Sequence, residues 1–379
     1  MNAEAGTSPP LNRFTEVMTR IAILTPSLTT GDAVSNDVLG MHDVLKERGY
    51  DVRVFAEGWA LDKPRVWPSP QLGNFLKQPA DVLIYHYSRG WDPGLDLLRE
   101  LKCRKIIKYH NVTPPEFLAG YNSDFAAMCL EGRQQLTLVA RSGSDLYLSD
   151  SAYNMRELVA EGASESKSFV VPPFHHVDRL DSIEPDASVL KSCSDGKVNI
   201  CMVGRVAPNK SHPALIEAFA AYHHDYNPHS RLIIVGKEEV RLAKYSTLLR
   251  SMARRLDLQD DVIFTGEVSD RALRAYYTAA HVFMITSEHE GFCVPLVEAM
   301  AMKIPIVGYA STAIPETVGS AGLVWEERNP YLLAESIKSI VGDRSVGGGL
   351  RGMGWYRYQS LFTNQRIESR FINALDQVL

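Results

Sequence analysis

HVFMITSEHEGFCVPLVEAM, residues 281–300, passes from a β-branched run through a polar loop into a helical pattern. HVFMIT reads as a strand. Pro295 suits the first turn of a helix, where its missing N–H costs nothing. The same unit recurs outward in both directions. Downstream come IPIVGY (304–309) and a short GLVW (322–325); upstream come KVNICMVG (197–204), RLIIVG (231–236) and DVIFTG (261–266). The first half repeats the rhythm in RIAILT (20–25), DVRVF (51–55), DVLIY (81–85), KIIKY (105–109), DLYLS (145–149) and SFVV (168–171). Between the first two of these, Val34, Val38, Met41 and Leu45 fall on one helix face, and Gly49 ends the helix. Strand–helix–strand alternation predicts parallel sheets covered by helices on both sides.

The fold class is therefore α/β, with two Rossmann-like doubly wound parallel-sheet domains facing across a cleft. Between them lies VVPPFHHVDRLDSIEPDASVLKSCSDGK (170–197), rich in proline and acids and without periodicity, which reads as a linker. The predicted division is a loose extension at 1–18, a first domain at 19–178, a linker at 179–196, a second domain at 197–353 and a terminal helix at 354–379. Tyr358, Leu361, Ile367, Phe371 and Leu375 are the helix's apolar anchors.

The 379 residues are 45% hydrophobic and 22% charged, so disorder is excluded for the bulk of the chain. A net charge of -5 gives no global means of neutralising a nucleic-acid backbone, so no nucleic-acid partner is expected. Cys103, Cys129, Cys193, Cys201 and Cys293 are odd in number and form no C-x-x-C pair, which points to a reducing, cytoplasmic setting without disulfides or structural zinc. The run Ile21 to Leu24 is too short for a leader or a membrane span. Five cations lie between Arg99 and Lys108; they read as a solvated face, with contact to an anionic membrane surface as the alternative.

Ligands of open parallel sheets bind beyond the carboxyl ends of the strands, so chemistry is sought in the loops that follow them. Glu290 stands in the loop before the helix that Pro295 opens, and Glu298 stands about one turn inside it. N–H groups around Phe292, Cys293 and Val294 would favour a diphosphate, Glu290 would bond sugar hydroxyls, and Glu298 a ribose diol. The bland reading is a carboxylate pair balancing the helix dipole. In GRVAPNKSH (204–212), Arg205 and Lys210 are placed to grip one anion from two sides of a loop, or are solvated surface cations. In TPSLTTGDAVSND (25–37), Gly31 would let the backbone approach a phosphate, while Asp32 and Ser35 are equally suited to capping the next helix. His110 and Asn111 stand at the carboxyl end of the strand KIIKY, and His110 is a titratable candidate there, with His86 in a similar position. His223, His224 and His229 match no zinc spacing, and Cys293 reads as a packing residue.

Taken together, EHEGFCVPLVEAM (288–300), GRVAPNK (204–210) and the two-domain layout resemble the retaining glycosyltransferases of family 4, which have the GT-B fold. The resemblance runs from Arg20 to the last helix and is most specific over 266–319. GDAVSNDVLG (31–40) and YHNVTPPEF (109–117) are similar to a subgroup that builds bacterial surface polysaccharides. The resemblance implies transfer of a hexose, with retention, from a UDP-sugar or GDP-mannose to a glycan or lipid-linked acceptor. It assigns the donor sugar to Glu290, the ribose to Glu298 and the diphosphate to Arg205 and Lys210. Lys237, Val268, Gly291, Phe292, Cys293 and Val294 would complete the donor site, with Gly31 closing it from the first domain. His110 would stand near the reacting anomeric carbon, and the final helix would cross back to the first domain. No metal or other cofactor is implied, and the protein would work in the cytoplasm, at most peripherally on the inner membrane face. Asp32 departs from the glycine pair common in relatives, and an acid beside a diphosphate is unfavourable. A sugar-nucleotide epimerase of the same fold and a catalytically silent nucleotide-sugar-binding protein are the alternatives.

Overall fold

In the computed structural model, residues 19–379 are described; the extension predicted at 1–18 lies outside them. The first sheet holds β1 (Arg20–Leu28), β2 (Asp51–Trp59), β3 (Val66–Pro68), β4 (Val82–Tyr87), β5 (Arg104–Tyr109), β6 (Leu146–Ser149) and β7 (Ser168–Val170). Its order is β3-β2-β1-β4-β5-β6-β7, parallel throughout. The second holds β8 (Val198–Val203), β9 (Ser230–Val235), β10 (Val262–Gly266), β11 (Val282–Ile285), β12 (Ile306–Tyr309) and β13 (Gly322–Trp325). Its order is β10-β9-β8-β11-β12-β13, also parallel. Each order reverses once, between β1 and β4 in one sheet and between β8 and β11 in the other. Those reversals open the crevices where ligands of doubly wound sheets bind.

The predicted strands all form, and β3 is an addition. Three residues are too few to leave a periodic signal, and this strand is fixed by pairing with Val54, Phe55 and Ala56 of β2. The predicted linker is not bare chain. It carries the helices Val177–Ser182 and Ala187–Cys193, the second capped by Asp186, which accepts from the N–H groups of Ser188 and Val189. Val177 and Leu180 are buried in the second domain's core.

The terminal helix predicted at 354–379 is corrected. One helix runs Arg344–Arg357, a wide π-type turn follows at Tyr358–Phe362, and a second helix occupies Asn364–Leu375 with Thr363 as its N-cap. Gly347, Gly348 and Gly349 disguised the first helix, because glycine is a poor helix former. Packing overrides that preference: Gly347 lies so close to the Ile340 carbonyl that a Cβ would come within 2.7 Å of it. The break marks a change of domain. Tyr358 and Phe362 stay in the second domain's core, whereas Ile367, Phe371, Ala374 and Leu375 enter the first domain's core with Ile21, Val38 and Ile84.

The basic tract is corrected too. Lys108 is not part of a surface face; its side chain is fully buried in the middle of the first domain. It lies on β5, which is covered on both sides. The remaining cations of the tract sit toward the amino end of β5, away from the crevice.

Among the described residues, no helix is long and apolar enough to cross a membrane.

Candidate active site

The two loops singled out in the second domain follow β8 and β11, so they flank its point of reversal. They are welded together. The Asn209 carbonyl accepts from the Glu288 N–H at 2.8 Å, the Asn209 amide donates to the His289 carbonyl, and Ser211 Oγ donates to Glu288 Oε1 at 2.8 Å. Lys210 Nζ reaches both carboxylate oxygens of Glu290 at 2.6 and 2.7 Å. Glu290 is buried, and its N–H donates to Thr312 Oγ1. A buried ion pair of this kind contributes little net stability, but losing one partner leaves the other charge stranded.

Arg205 differs from Lys210. It is exposed and enters no ion pair or side-chain hydrogen bond among the described residues. Its charge is felt by the Cys129 thiol of the facing domain, which burial pushes up and Arg205 partly restrains. Arg205 therefore stands in the crevice as an uncommitted cation. Lys237 is exposed on the neighbouring loop, also unpaired among the described residues, and Val268 is half-buried beyond β10. Gly236, at φ 154°, carries no Cβ because the Gly204 carbonyl occupies that space; this crossing brings the loops after β8 and β9 together.

The helix Val294–Ala301 has Pro295 in its first turn. Phe292 and Cys293 are buried, and burial raises the Cys293 thiol well above its ordinary value, which suits packing rather than nucleophilic chemistry. Glu298 sits one turn in. Burial pushes its carboxyl up, against the Tyr277 hydroxyl, which donates to Oε2 at 2.6 Å. The bond fixes the orientation of the carboxylate through Oε2. Tyr277→Phe keeps the packing and removes this donor. It is expected to weaken nucleotide binding several-fold, and Glu298→Ala by about 1.5–3 kcal/mol; calorimetric titration checks both.

In the first domain, Gly31 (φ 74°) is exposed at the turn after β1. Asp32 is a helix cap. Its Oδ2 accepts from the Ser35 N–H and hydroxyl at 3.0 and 2.9 Å, so its charge is committed locally. His110 follows β5, but its imidazole turns inward. Nδ1 lies 3.0 Å from Asp150 Oδ2 and Nε2 lies 2.9 Å from His86 Nδ1. Asp37 Oδ2, His86 Nδ1 and His110 Nε2 lie within 4.8 Å of one another, close enough in principle for a metal ion. The two rings are only 20° from parallel with centroids 5.0 Å apart, so the nitrogens face each other along a hydrogen bond. A shared metal would need both lone pairs turned away from that line. The Lys108 ammonium, 3.7 Å from Asp37 Oδ2, already supplies a cation.

The crevice is closed over these residues. Asn111 donates from Nδ2 to Asn154 Oδ1 at 2.8 Å and to Glu157 Oε2 at 3.1 Å, so its Oδ1 is free to accept from His289 Nε2 at 2.6 Å, across the domain boundary. Two residues on, Gly291 lies where a Cβ would come within 2.8 Å of Asn111 Cβ and 2.9 Å of the His110 carbonyl. Burial lowers the His289 imidazole, with Glu157 and Glu290 opposing and Arg133 and Lys210 adding to the shift. Separating the domains would expose it, so the open form takes up a proton that the closed form resists. Closure is thus favoured above the ordinary imidazole range and weakened as pH falls through it. Small-angle scattering is expected to show a more open chain near pH 5 than near pH 7, and His289→Gln, which can still donate to Asn111, is expected to remove that difference.

Sequence reading missed Tyr277, His289, Thr312 and the buried group of Asp37, Lys108 and Asp150, and it placed Asn111 beside His110 without its partners. Only Lys108 left a signal, as a lysine between Ile107 and Tyr109 in a strand predicted to be covered on both faces.

Residues 191–348 match the family described as glycosyl transferases group 1. Over 352 residues the chain is 33% identical to a GDP-mannose-dependent alpha-mannosyltransferase of Mycolicibacterium smegmatis, covering 83% of this chain and 84% of that relative. The chain belongs to the group 1 glycosyl transferases. A mannosylfructose-phosphate synthase of Agrobacterium fabrum is 25% identical over 240 residues, 61% of this chain and 52% of that protein, so the chain spans about half the length of this relative. The Anabaena protein HepE, solved in complex with UDP and glucose, superposes with a TM-score of 0.75 over 94% of this chain and 99% of that one at 16% identity, which shows the GT-B fold. For a group 1 glycosyl transferase the matched segment is informative. It spans all of the second sheet and carries Arg205, Lys210, Lys237, Glu290 and Glu298, whereas the His110 group and the crossing helix fall outside it.

Proposed function

We propose that this chain is a retaining glycosyltransferase that moves a hexose from a nucleoside-diphosphate sugar to a glycan or lipid-linked acceptor in bacterial polysaccharide or glycolipid synthesis. The observation that carries the reading is the uncommitted Arg205 beside the Lys210–Glu290 pair, at the point where the second sheet reverses and faces the first domain. Arg205 and Lys210 hold the diphosphate, Glu290 the sugar hydroxyls and Glu298, aimed by Tyr277, the ribose. As the bond from the anomeric carbon to the phosphate oxygen breaks, charge grows on the leaving group, where fixed cations have most effect. The acceptor oxygen bonds to the anomeric carbon on the same face, and its proton passes to the departing phosphate.

The relative matched over most of its length is named for GDP-mannose, so a guanine nucleotide is the first donor to test and a UDP-sugar the second. A lipid-linked acceptor would hold the chain peripherally at the inner membrane face. The test is titration against GDP, UDP, ADP and CMP without added metal, then transfer from the matching sugar nucleotide with the product's anomeric configuration read by NMR. One preferred nucleotide and a retained configuration are expected. Interconversion of free sugar nucleotides without an acceptor, or nucleotide binding with no transfer to any acceptor, would overturn the reading.

A further inference from the structure

Five ionisable side chains meet beneath the His110 strand end, drawn from four places in the chain. Asp37 comes from the helix Ala33–Glu47, His86 from β4, Lys108 and His110 from β5 and its end, and Asp150 from just beyond β6. All five are buried. Lys108 Nζ lies 2.6 Å from Asp150 Oδ1 and also donates to the Val171 carbonyl. Asp37 Oδ1 accepts from the Phe174 N–H at 2.8 Å. Its Oδ2 lies 3.7 Å from Lys108 Nζ, 3.7 Å from His110 Nε2 and 3.8 Å from His86 Nδ1, and bonds to none of them.

Burying this much charge is costly, and apolar residues would fill the space at less expense. The arrangement has one clear geometric product. The chain Asp150–His110–His86 occupies both ring nitrogens of His110, so its orientation is fixed from within the domain and neither nitrogen is left for the crevice. Directly above, Asn111 is held at φ 75°, and the His110 carbonyl and Asn111 Cβ form the surface against which Gly291 closes.

We propose that Asp150, Lys108 and His86 are positioning residues, which lock the His110 ring and through it the strand end that receives the donor loop. The proposal rests on the glycosyltransferase reading above. Electrostatics agree with it. Burial alone would raise Asp150, but His110 and Lys108 overcome that and hold it ionised. Burial keeps His86 neutral, with His110 and Lys108 adding to the effect, and burial raises Asp37 against the pull of Lys108.

Asp150→Asn tests the lock. The Lys108 ammonium, close to Oδ1, would retain the amide oxygen of the new side chain. The amide NH2 would then face His110 Nδ1, which can no longer donate and must accept. Its proton moves to Nε2, against His86 Nδ1, and the chain of bonds is reversed or broken. The expected result is a fall in kcat of about 100-fold, with the dissociation constants for GDP and UDP within about threefold of native. In protein labelled with 15N-histidine, the His110 Nδ1–H signal present in the native chain is lost. A kcat within about threefold of native, or an unchanged His110 tautomer, would overturn the proposal.

If Asp150→Asn does not fold, His86→Leu and His86→Asn decide the matter. Asparagine can still donate to His110 Nε2 and leucine cannot, so the asparagine variant is expected to be at least about tenfold more active. Equal loss in both would overturn the proposal. Absence of nucleotide binding and of transfer in the native chain would count against the glycosyltransferase reading alone, because the histidine spectrum still reports the lock.

Discussion

Arg205→Ala is expected to reduce turnover by about 10²–10³-fold, the typical cost of removing one preorganised donor from a developing negative charge. Its thermal midpoint should stay close to native, because Arg205 is exposed and holds no partner among the described residues. Lys210→Ala makes the contrast. It removes a cation from the same site but also strands the buried Glu290 carboxylate, so it should cost about 3–5 kcal/mol of stability as well as turnover. Steady-state kinetics beside thermal unfolding separates the two effects. Near-native turnover in Arg205→Ala combined with Lys210→Ala would remove both residues from the leaving-group site.

Gly291→Ala should be nearly as damaging by a different route. The new methyl group would meet Asn111 and the His110 carbonyl at less than 3 Å, and neither backbone can yield without opening the crevice. Overpacking of this kind costs about 1–3 kcal/mol, equivalent to roughly 5–150-fold in the closed population. Nucleotide binding should survive, since the residues proposed to hold the donor, Arg205, Lys210 and Glu298, remain within the second domain. The expected signature is a large loss of kcat with a small change in nucleotide affinity. Loss of nucleotide binding in a folded Gly291→Ala protein would contradict the division of labour between the domains.

The strands were legible because apolar, β-branched runs in covered parallel sheets carry their own signal, and twelve of the thirteen are named by it. What could not be read depended on partners far along the chain. β3 exists by pairing with β2, and the helix through Gly347–Gly349 by packing on the Ile340 carbonyl. The break at Tyr358–Phe362 exists because two cores claim successive parts of one segment. The candidate site divides in the same way. Arg205, Lys210 and Glu290 stand in short loops and turns after the strands, and Glu298 in the helix that follows one of them, so their order follows directly from the strands; the structure brings Lys210 and Glu290 together. Tyr277 is 21 residues from Glu298, and His289 is 178 from Asn111; contacts of that separation leave no local pattern. His110 was visible as a polar residue at a strand end, but the inward turn of its ring was set by Asp150 and His86, 40 and 24 residues away.

The return of Asn364–Leu375 to the first domain has a consequence for how the protein is made. Ile367, Phe371, Ala374 and Leu375 complete a core whose other members include Ile21, Val38 and Ile84, and Arg48 pairs with Glu368 at its surface. During synthesis, the first domain therefore lacks part of its interior until Asn364–Leu375 emerges from the ribosome. The second domain has its strands and most of its covering helices before then. Vectorial, amino-to-carboxyl completion is unavailable to this architecture: the half begun first is the half finished last, and its unsealed apolar face must be kept from aggregation throughout translation.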